Sequence, residues 1–311
     1  FYCNFNILLR ASSGALFIIF ICCFSEEYLM RAVVLKGTNG FNDLELVKKK
    51  DPKPSYDEVL VRVRSASINF RDLLITKGGY GSRQKTSDLI PLSDAAGEVV
   101  EVGSGVINFK VGDRVTGSFF QSWISGQLTN DMLEDDLGRS NDGVLSELRC
   151  FKEVGLAATP NSLSDFEASA VPCAGLTAWS GIITLGKVKP GESVLIQGTG
   201  GVSLFALQFS KMVGAKVLAI SSNEKKIERL KKIGAFYCLN YLDNPHWGKE
   251  ILKITNGRGV DHIIEIGGGE TIKQSLRAIK PGGTISLIGV LDGARSDLLI
   301  PLVGSRNITL Q

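Results

Sequence analysis

Three glycines in four positions follow an apolar run near the middle of the chain, in the stretch VLIQGTGGVSLFALQFSK that begins at Val194. The run 194–197 predicts a buried strand, and apolar residues at 202, 205, 206, 209 and 213 predict a helix over 202–213. Gly198 permits a tight turn between them, and Gly200 lets the backbone approach a pyrophosphate. The helix start then offers unpaired N–H groups to the phosphates. We therefore predict a dinucleotide-binding turn of four residues: Gly198, Gly200, Gly201 and Val202.

The alternation of strand and helix continues towards the end of the chain. Further strands are predicted over 216–220, 239–241, 262–266 and 284–288, and a helix over 224–233 that Gly234 ends. Ser203 stands where such turns carry a third glycine, and its side chain is small enough for close packing of helix on strand. The alternation is typical of parallel βαβ units with helices on both faces of the sheet.

The first half of the chain has a different pattern. Val59, Val61 and Val63 alternate with other residues at the period of a strand, and glycine turns separate short strands over 97–105 and 110–115. The polar stretch 126–142 is interpreted as a loop inserted between strands. We predict a β-rich domain over 30–175 and a doubly wound α/β domain over 176–311.

Residues 1–29 are interpreted as an extension outside both domains. Their apolar run, 15–24, is too short to span a bilayer as a helix. Arg10 before this run allows a signal peptide, but Met30 is a natural start and the residues before it form a poor cleavage site. An upstream or non-native extension is the favoured interpretation.

Charge and cysteine content restrict the function classes. The net charge of +3 is small and dispersed, so no nucleic-acid surface is predicted. The six cysteines form no CxxC pair and no cluster with metal-ligand spacing. Free thiols are typical of a reducing compartment, so we expect a cytoplasmic protein. We also expect a small-molecule substrate and no membrane span.

The end of the second strand of the α/β domain predicts which dinucleotide is bound. NAD-binding turns carry an acid there, about 20 residues after the glycines, for the ribose 2′-hydroxyl. This chain has Ser221, Ser222 and Asn223, followed by Lys225 and Lys226. Hydroxyls and cations favour a 2′-phosphate, so NADP(H) is predicted and NAD(H) is the second choice. The alternative is an N-cap serine on a solvated helix face, and both interpretations are compatible.

A second glycine-rich stretch allows a rival nucleotide. The sequence EIGGG over 265–269 resembles the acidic turn of methyltransferases that bind S-adenosylmethionine. In those proteins the turn follows the first strand of the sheet, whereas here it follows the fourth. The dinucleotide interpretation is therefore favoured.

Taken together, the motifs resemble the medium-chain dehydrogenase/reductase superfamily, from Met30 to the end of the chain. The segments that carry this resemblance are EVLVRVRSASINFRD, PLSDAAGEVVEVGSGV, FKVGDRV, PCAGLTAW, KPGESVLIQGTGGVSLFALQFSK and GRGVDHIIEIGG. The resemblance implies a GroES-like catalytic domain followed by a Rossmann domain. It is greatest to zinc-free members, which are alcohol dehydrogenases or quinone oxidoreductase-like proteins.

The metal positions of this family are altered in the present chain. Zinc-dependent members carry a Cys, a His and a later Cys or acid, which the resemblance places at Asn69, Ser93 and Cys173. Asn and Ser cannot replace a thiolate and an imidazole. The lobe that holds structural zinc should lie between Arg114 and Cys150, where no cysteine precedes Cys150. We expect no metal site, and Cys173 is interpreted as a small buried residue.

The resemblance also implies roles for individual residues. Thr177 should face the nicotinamide ring, Tyr241 should lie near the 2′-phosphate, and Asn69 and Tyr80 should lie near the substrate. Three consecutive residues should hold the carboxamide through their backbone: Ile288, Gly289 and Val290.

Three more polar residues are interpreted without a firm catalytic role. Arg71 and Asp72 either orient the substrate or pair with each other. His262 is interpreted as a structural residue at a strand start. Arg71 and Asp72 therefore have a structural alternative, and His262 is given no catalytic role.

These observations favour a zinc-independent oxidoreductase. It would use NADP(H) to move hydride to or from a carbonyl, an alcohol, an activated alkene or a quinone. The alternative is a non-catalytic NADPH-binding protein with a structural or regulatory role. Family members continue beyond the final NITLQ with a last sheet strand and a returning segment, so we expect a C-terminally truncated chain whose full-length form is a homodimer.

Overall fold

The computed structural model describes residues 28–81, 84–85, 88–298 and 300–311. The predicted extension therefore lies outside the described residues up to position 27, together with Cys3, Cys22 and Cys23. Leu29, which we assigned to that extension, opens the first strand, where it pairs with Lys50. Within the part of the chain that the structure describes, no helix is both long and apolar enough to cross a bilayer.

The N-terminal half forms a five-stranded antiparallel sheet and a two-stranded ribbon. The sheet order is β6-β3-β4-β5-β7, and β1 pairs with β2 in the ribbon. The strands are β1 (Leu29–Leu35), β2 (Leu44–Lys50), β3 (Glu58–Ser67), β4 (Asp94–Val102), β5 (Arg114–Gly117), β6 (Leu148–Lys152) and β7 (Leu156–Ala158). Val59 and Val61 of β3 are buried in one cluster, and Leu60 between them is buried in a second cluster on the opposite face, so exposure alternates only from Arg62 onwards.

The C-terminal half forms a six-stranded parallel sheet in the order β10-β9-β8-β11-β12-β13. Its strands are β8 (Ser193–Gln197), β9 (Lys216–Ser221), β10 (Tyr237–Asn240), β11 (Val260–Glu265), β12 (Ile279–Leu287) and β13 (Thr309–Leu310). The helices around it are α4 (Gly201–Met212), α5 (Glu224–Ile233), α6 (Trp247–Ile254), α7 (Thr271–Ala278) and α8 (Ile300–Ser305). The strand order reverses between β8 and β11, so the ligand crevice lies at the carboxyl ends of these two strands.

Two hydrophobic clusters lie against this sheet. Leu195 and Ile263 pack with Ile251 of α6 and Leu276 of α7, whereas Ile196 packs with Leu207 of α4 and other residues. Helices therefore cover both faces of the sheet. The predicted fold class, a β-rich domain followed by a doubly wound α/β domain, is confirmed.

A helical region joins the two halves. It contains α2 (Asp165–Ser169) and α3 (Leu176–Trp179), and α3 stands between two π-helical stretches, Val171–Gly175 and Ser180–Thr184. The helix α1 (Phe70–Thr76) lies within the first half, between β3 and β4. The first π-helical stretch contacts both β4 and α4. Our boundary at residue 175 falls inside this continuous run and stays a prediction.

Candidate active site

The glycine turn has open space where a cofactor would lie. Gly198 has φ of +70°, a left-handed conformation that favours glycine. Gly200 is the N-cap of α4 without a side-chain capping bond, and a Cβ added there would meet no atom within 4 Å. The start of this twelve-residue helix therefore has no side-chain cap and has open space beside Gly200, and a helix start of this kind can bind a pyrophosphate.

The next three residues hold the turn in place. A Cβ on Gly201 would lie 3.0 Å from Cβ of Ala174, so this glycine lets α4 pack closely on the preceding helical run. Val202 is half-buried and packs into the core. The buried Ser203 hydroxyl donates to the Gln197 carbonyl at 2.6 Å, so it ties the helix to the strand where other members carry glycine.

The end of β9 brings the ribose-site candidates together. Ser221 is buried and Ser222 is half-buried, and the Ser221 carbonyl accepts the N–H of Tyr241 at 3.0 Å. Tyr241 is 37% exposed, so it remains accessible to a ligand.

The helix after β9, α5, begins at Glu224, so neither Ser221 nor Ser222 is in the N-cap position. Its N-cap is Asn223, whose side chain accepts the N–H of Lys226 at 3.2 Å. The predicted N-cap serine is therefore wrong, because Ser221 still belongs to β9. The ammonium groups of Lys225 and Lys226 are exposed and pair with no acid among the described residues.

The predicted carboxamide segment follows β12. The N–H groups of Ile288 and Gly289 donate to the Glu265 carbonyl at 2.8 and 3.3 Å, which places Ile288, Gly289 and Val290 beside the end of β11. A Cβ on Gly289 would lie 2.2 Å from the Ile266 carbonyl oxygen, so only glycine fits this approach.

Thr177 lies on the helical run that passes over this edge of the sheet. It is half-buried. One turn later, a Cβ on Gly181 would lie 3.0 Å from Cδ1 of Ile264 and 3.5 Å from Oγ of Ser286. The glycine turn, Thr177 and the 288–290 segment therefore all belong to the region around the carboxyl ends of β8, β11 and β12.

Glu265 of the EIGGG stretch is fully buried and fully hydrogen-bonded. Its Oε1 accepts from Thr271 Oγ1 at 2.7 Å and from two backbone N–H groups. Its Oε2 accepts from Gln197 Nε2 at 2.6 Å and also from Ser275. A carboxylate occupied in this way cannot bind a nucleotide ribose, so this stretch gives no support to an S-adenosylmethionine site.

The three positions that carry zinc ligands in other members converge on one carboxylate, Asp94. Ser93 Oγ donates to Asp94 Oδ1 at 2.5 Å, and the Cys173 N–H donates to Oδ2 at 2.9 Å. Asn69 is also near enough to lower the pKa of Asp94, although burial raises that pKa overall. Residues separated by about a hundred positions thus form one buried polar cluster.

These donors do not fit a zinc ion. Both Asp94 oxygens already accept hydrogen bonds from Ser93 and Cys173. Burial, with the nearby Asp94 carboxylate, raises the pKa of the Cys173 thiol to about 12, so this thiol is protonated in the metal-free protein. Among the described residues, no three His, Cys, Asp or Glu side chains are placed to hold a metal.

Three buried polar atoms at the start of α1 make no hydrogen bond of ordinary geometry among the described residues. They are Asn69 Nδ2, Arg71 Nε and Asp72 Oδ1. The other oxygen of Asp72 accepts the Asn69 N–H at 2.7 Å, and burial raises the pKa of Asp72 to about 6. The Asn69 side chain also lowers the pKa of Asp94, so its amide lies beside that carboxylate, from which it would have to turn to bind a substrate oxygen.

Arg71 does not pair with Asp72, so this alternative is wrong. Its Nη2 lies 2.6 Å from Asp136 Oδ2, and both side chains are at most 5% exposed. Its guanidinium carbon lies 5.1 Å from the ring centroid of Tyr80 and 4.4 Å from that of Phe119. Arg71 therefore connects α1 and the substrate candidate Tyr80 to the inserted loop.

Sequence reasoning missed Asp136, which lies in the stretch interpreted only as a loop. Its carboxylate also accepts from Arg139 Nε at 2.9 Å and from Ser140 Oγ at 2.7 Å. The buried Asp136 carboxylate thus connects the inserted loop to α1. This loop corresponds to the lobe that holds structural zinc in other members. No pattern in the local sequence distinguishes it from the neighbouring acids.

His262 has a structural environment. It is the third residue of β11, and its Nε2 lies 3.0 Å from Glu192 Oε2. The contact between His262 and Glu192 involves none of the residues of the cofactor crevice, in agreement with the interpretation of His262 as a structural residue.

Two family models match the chain. An alcohol dehydrogenase GroES-like domain matches residues 55–161, and a zinc-binding dehydrogenase domain matches residues 201–311. These ranges fall on the two halves of the fold described above.

Proteins of known sequence or structure also resemble this chain. A zinc-type alcohol dehydrogenase-like protein of Schizosaccharomyces pombe is 40% identical over 263 residues, which are 84% of this chain and 76% of the relative. An NADP-dependent isopropanol dehydrogenase of Clostridium beijerinckii is 34% identical over 278 residues, 85% of this chain and 78% of the relative. A quinone oxidoreductase structure from Pseudomonas syringae pv. Tomato DC3000 superposes with a TM-score of 0.78 at 26% identity, and covers 91% of this chain and 80% of that one.

Sequence motifs, fold and relatives lead to the same assignment. The relatives named above are oxidoreductases, and the matched dehydrogenase domain begins at residue 201, at the end of the glycine turn. The chain belongs to the medium-chain dehydrogenase/reductase superfamily.

Proposed function

We propose that this protein is an NADP(H)-dependent oxidoreductase that works without zinc. It moves hydride to or from a carbonyl or alcohol, or an activated alkene or quinone, and acts as a cytoplasmic homodimer. The observation that carries the proposal is the buried cluster of Asn69, Ser93 and Cys173 around Asp94, because it replaces a metal centre with hydrogen-bonding groups.

The bound nicotinamide supplies or accepts the hydride, and the protein must then stabilise charge on the substrate oxygen. We assign Asn69 Nδ2 as the donor for that oxygen, towards which it would turn from Asp94. The Tyr80 hydroxyl or water delivers the proton that completes reduction. Thr177 and the 288–290 segment orient the nicotinamide ring.

Metal removal tests the zinc-free proposal. We expect NADPH consumption with enones, quinones and aldehydes to survive dialysis against a strong chelator, because the donor set around Asp94 does not fit zinc. Enones and quinones should react faster than simple ketones, since they accept hydride without a Lewis acid. Activity lost on chelation and restored by zinc would refute this proposal.

The same assay decides between the two functions considered. NADPH binding without consumption of any acceptor class would favour the non-catalytic alternative. Consumption that depends on the protein concentration would exclude it.

The protein should bind NADPH at least tenfold more tightly than NADH. A charge-assisted contact to the 2′-phosphate contributes about 1.5–3 kcal/mol, which corresponds to a factor of roughly ten or more. Lys226→Ala should weaken NADPH far more than NADH, and Lys225 is the second candidate. The measurement is the dissociation constant of each cofactor by fluorescence titration, with Lys249→Ala on α6 as the control for loss of an exposed lysine. Equal constants for the two cofactors in the unaltered protein would contradict the preference.

A further inference from the structure

We propose that Gln197 and Glu265 form a buried positioning pair that sets the affinity of the protein for its dinucleotide. This inference rests on the proposed cofactor function, and it adds two residues that act through the turns beside them. Their side chains are joined by a hydrogen bond from Gln197 Nε2 to Glu265 Oε2 at 2.6 Å. Gln197 is 5% exposed and Glu265 is fully buried.

The pair lies at the carboxyl ends of the two strands between which the sheet order reverses. Gln197 is the last residue of β8 and directly precedes the glycine turn, and Glu265 is the last residue of β11. Doubly wound folds bind their ligands in the crevice at these strand ends. A bond between the two residues therefore acts where the dinucleotide is expected.

The turn after β11 stands between the glycine turn and the predicted carboxamide segment. A Cβ on Gly198 would lie 3.8 Å from Cδ1 of Ile266, and a Cβ on Gly289 would lie 2.2 Å from the Ile266 carbonyl oxygen. The position of Ile266 therefore helps to determine how far apart the pyrophosphate and carboxamide sites lie.

Gln197 and Glu265 together hold the backbone of this turn. Gln197 Oε1 accepts the N–H groups of Ile266 and Gly267 at 3.2 and 3.3 Å. Glu265 Oε1 accepts the N–H groups of Gly267 and Gly268 at 2.9 and 3.1 Å. The pair thus holds three consecutive N–H groups, and the bond between its members ties them to the strand that leads into the glycine turn.

The hydrogen-bond pattern requires one amide and one carboxylate. Backbone N–H groups only donate, and an amide side chain has one accepting and one donating end. The Ser275 hydroxyl completes the pattern, because it accepts from Gln197 Nε2 at 3.0 Å and donates to Glu265 Oε2. Two amides would place N–H against N–H within this network, and two carboxylates would place two buried charges together. Gln197→Glu combined with Glu265→Gln would keep the pattern of donors and acceptors once the Ser275 hydroxyl turns.

This exchange of the two residues tests the inference. We expect Glu265→Gln alone and Gln197→Glu alone to raise the dissociation constants of NADPH and NADH by about tenfold, since each disrupts a buried hydrogen-bond network. The ratio of the two constants should not change, because the pair holds the turns and not the end of β9. The exchanged pair should return both constants to within about threefold of the original values.

Ser193→Ala is the matched control, because it breaks a side-chain bond between the same two strands near their amino ends. Ser193 Oγ donates to the buried carboxylate of Asp261 at 2.7 Å. This variant should lower the thermal unfolding temperature and leave both dissociation constants unchanged. The inference is overturned if the single variants of the pair behave like Ser193→Ala. It is also overturned if the exchanged pair regains the unfolding temperature but not the affinity.

A milder variant decides the case in which a variant of the pair does not fold. Ser275→Ala removes one hydrogen-bond partner from each member and introduces no new donor, so both constants should rise by about two- to fivefold. Unchanged constants in this variant would overturn the inference as well. An unaltered protein that binds neither NADPH nor NADH would instead refute the proposed cofactor, so the two failures are distinguishable.

Discussion

Replacing Asp136 by alanine should lower the free energy of unfolding by about 3–5 kcal/mol, as expected when one partner of a buried ion pair is removed. The carboxylate is 1% exposed and pairs with Arg71, whose side chain is 5% exposed. Without it, the guanidinium groups of Arg71 and Arg139 would be left without their acid in a poorly solvated region. Because Arg71 lies against the rings of Tyr80 and Phe119, the substrate side of the cleft should be disturbed as well.

Urea unfolding followed by circular dichroism and tryptophan fluorescence measures this loss. Asp136→Asn keeps the shape of the side chain and removes its charge, so it should be destabilising by a smaller amount. The control is Glu250→Ala, which breaks the pair with Lys253 in which the side chains are 34% and 71% exposed. That change should lower the free energy of unfolding by less than about 1 kcal/mol. A similar small loss for Asp136→Ala would show that the pair does not fasten the lobe.

The parts of the fold that could be predicted are those encoded by local patterns. The glycine spacing at 198–201 and the apolar period after it determine a strand, a turn and a helix within about twenty residues. The helix over 224–233 ends at Gly234 as predicted, because this glycine adopts φ of 107°. Several strand bounds differ: β12 begins at Ile279 rather than at residue 284, and β5 begins at Arg114 rather than at residue 110. The helices α1 and α6 were not predicted.

The parts that could not be predicted depend on contacts between distant residues. Arg71 and Asp136 are 65 positions apart, and Gln197 and Glu265 are 68 apart. Any of several acids in 126–142 could have paired with Arg71, and composition does not select one of them.

Replacing Asn69 should lower kcat by about 100- to 1000-fold, which is the usual effect of removing one hydrogen-bond donor to a developing oxyanion. Its Nδ2 makes no hydrogen bond of ordinary geometry among the described residues, although it lies beside the Asp94 carboxylate. The dissociation constant of NADPH should not change, because Asn69 belongs to the antiparallel half and the cofactor turn to the parallel half.

The choice of variant decides whether this result can be interpreted. Asn69 is the N-cap of α1, and alanine there would cost about 1 kcal/mol of stability in addition to the lost donor. Asn69→Ser keeps a capping side chain but is too short to reach the oxygen that the amide would bind, so it separates catalysis from folding.

Tyr80→Phe is the companion variant, because it removes the hydroxyl and keeps the ring on Arg71. Steady-state kcat with an enone, measured beside NADPH binding and thermal unfolding, gives the answer. A kcat within twofold of the original in Asn69→Ser would show that the amide does not stabilise the oxyanion, and the same result in Tyr80→Phe would leave water as the proton source.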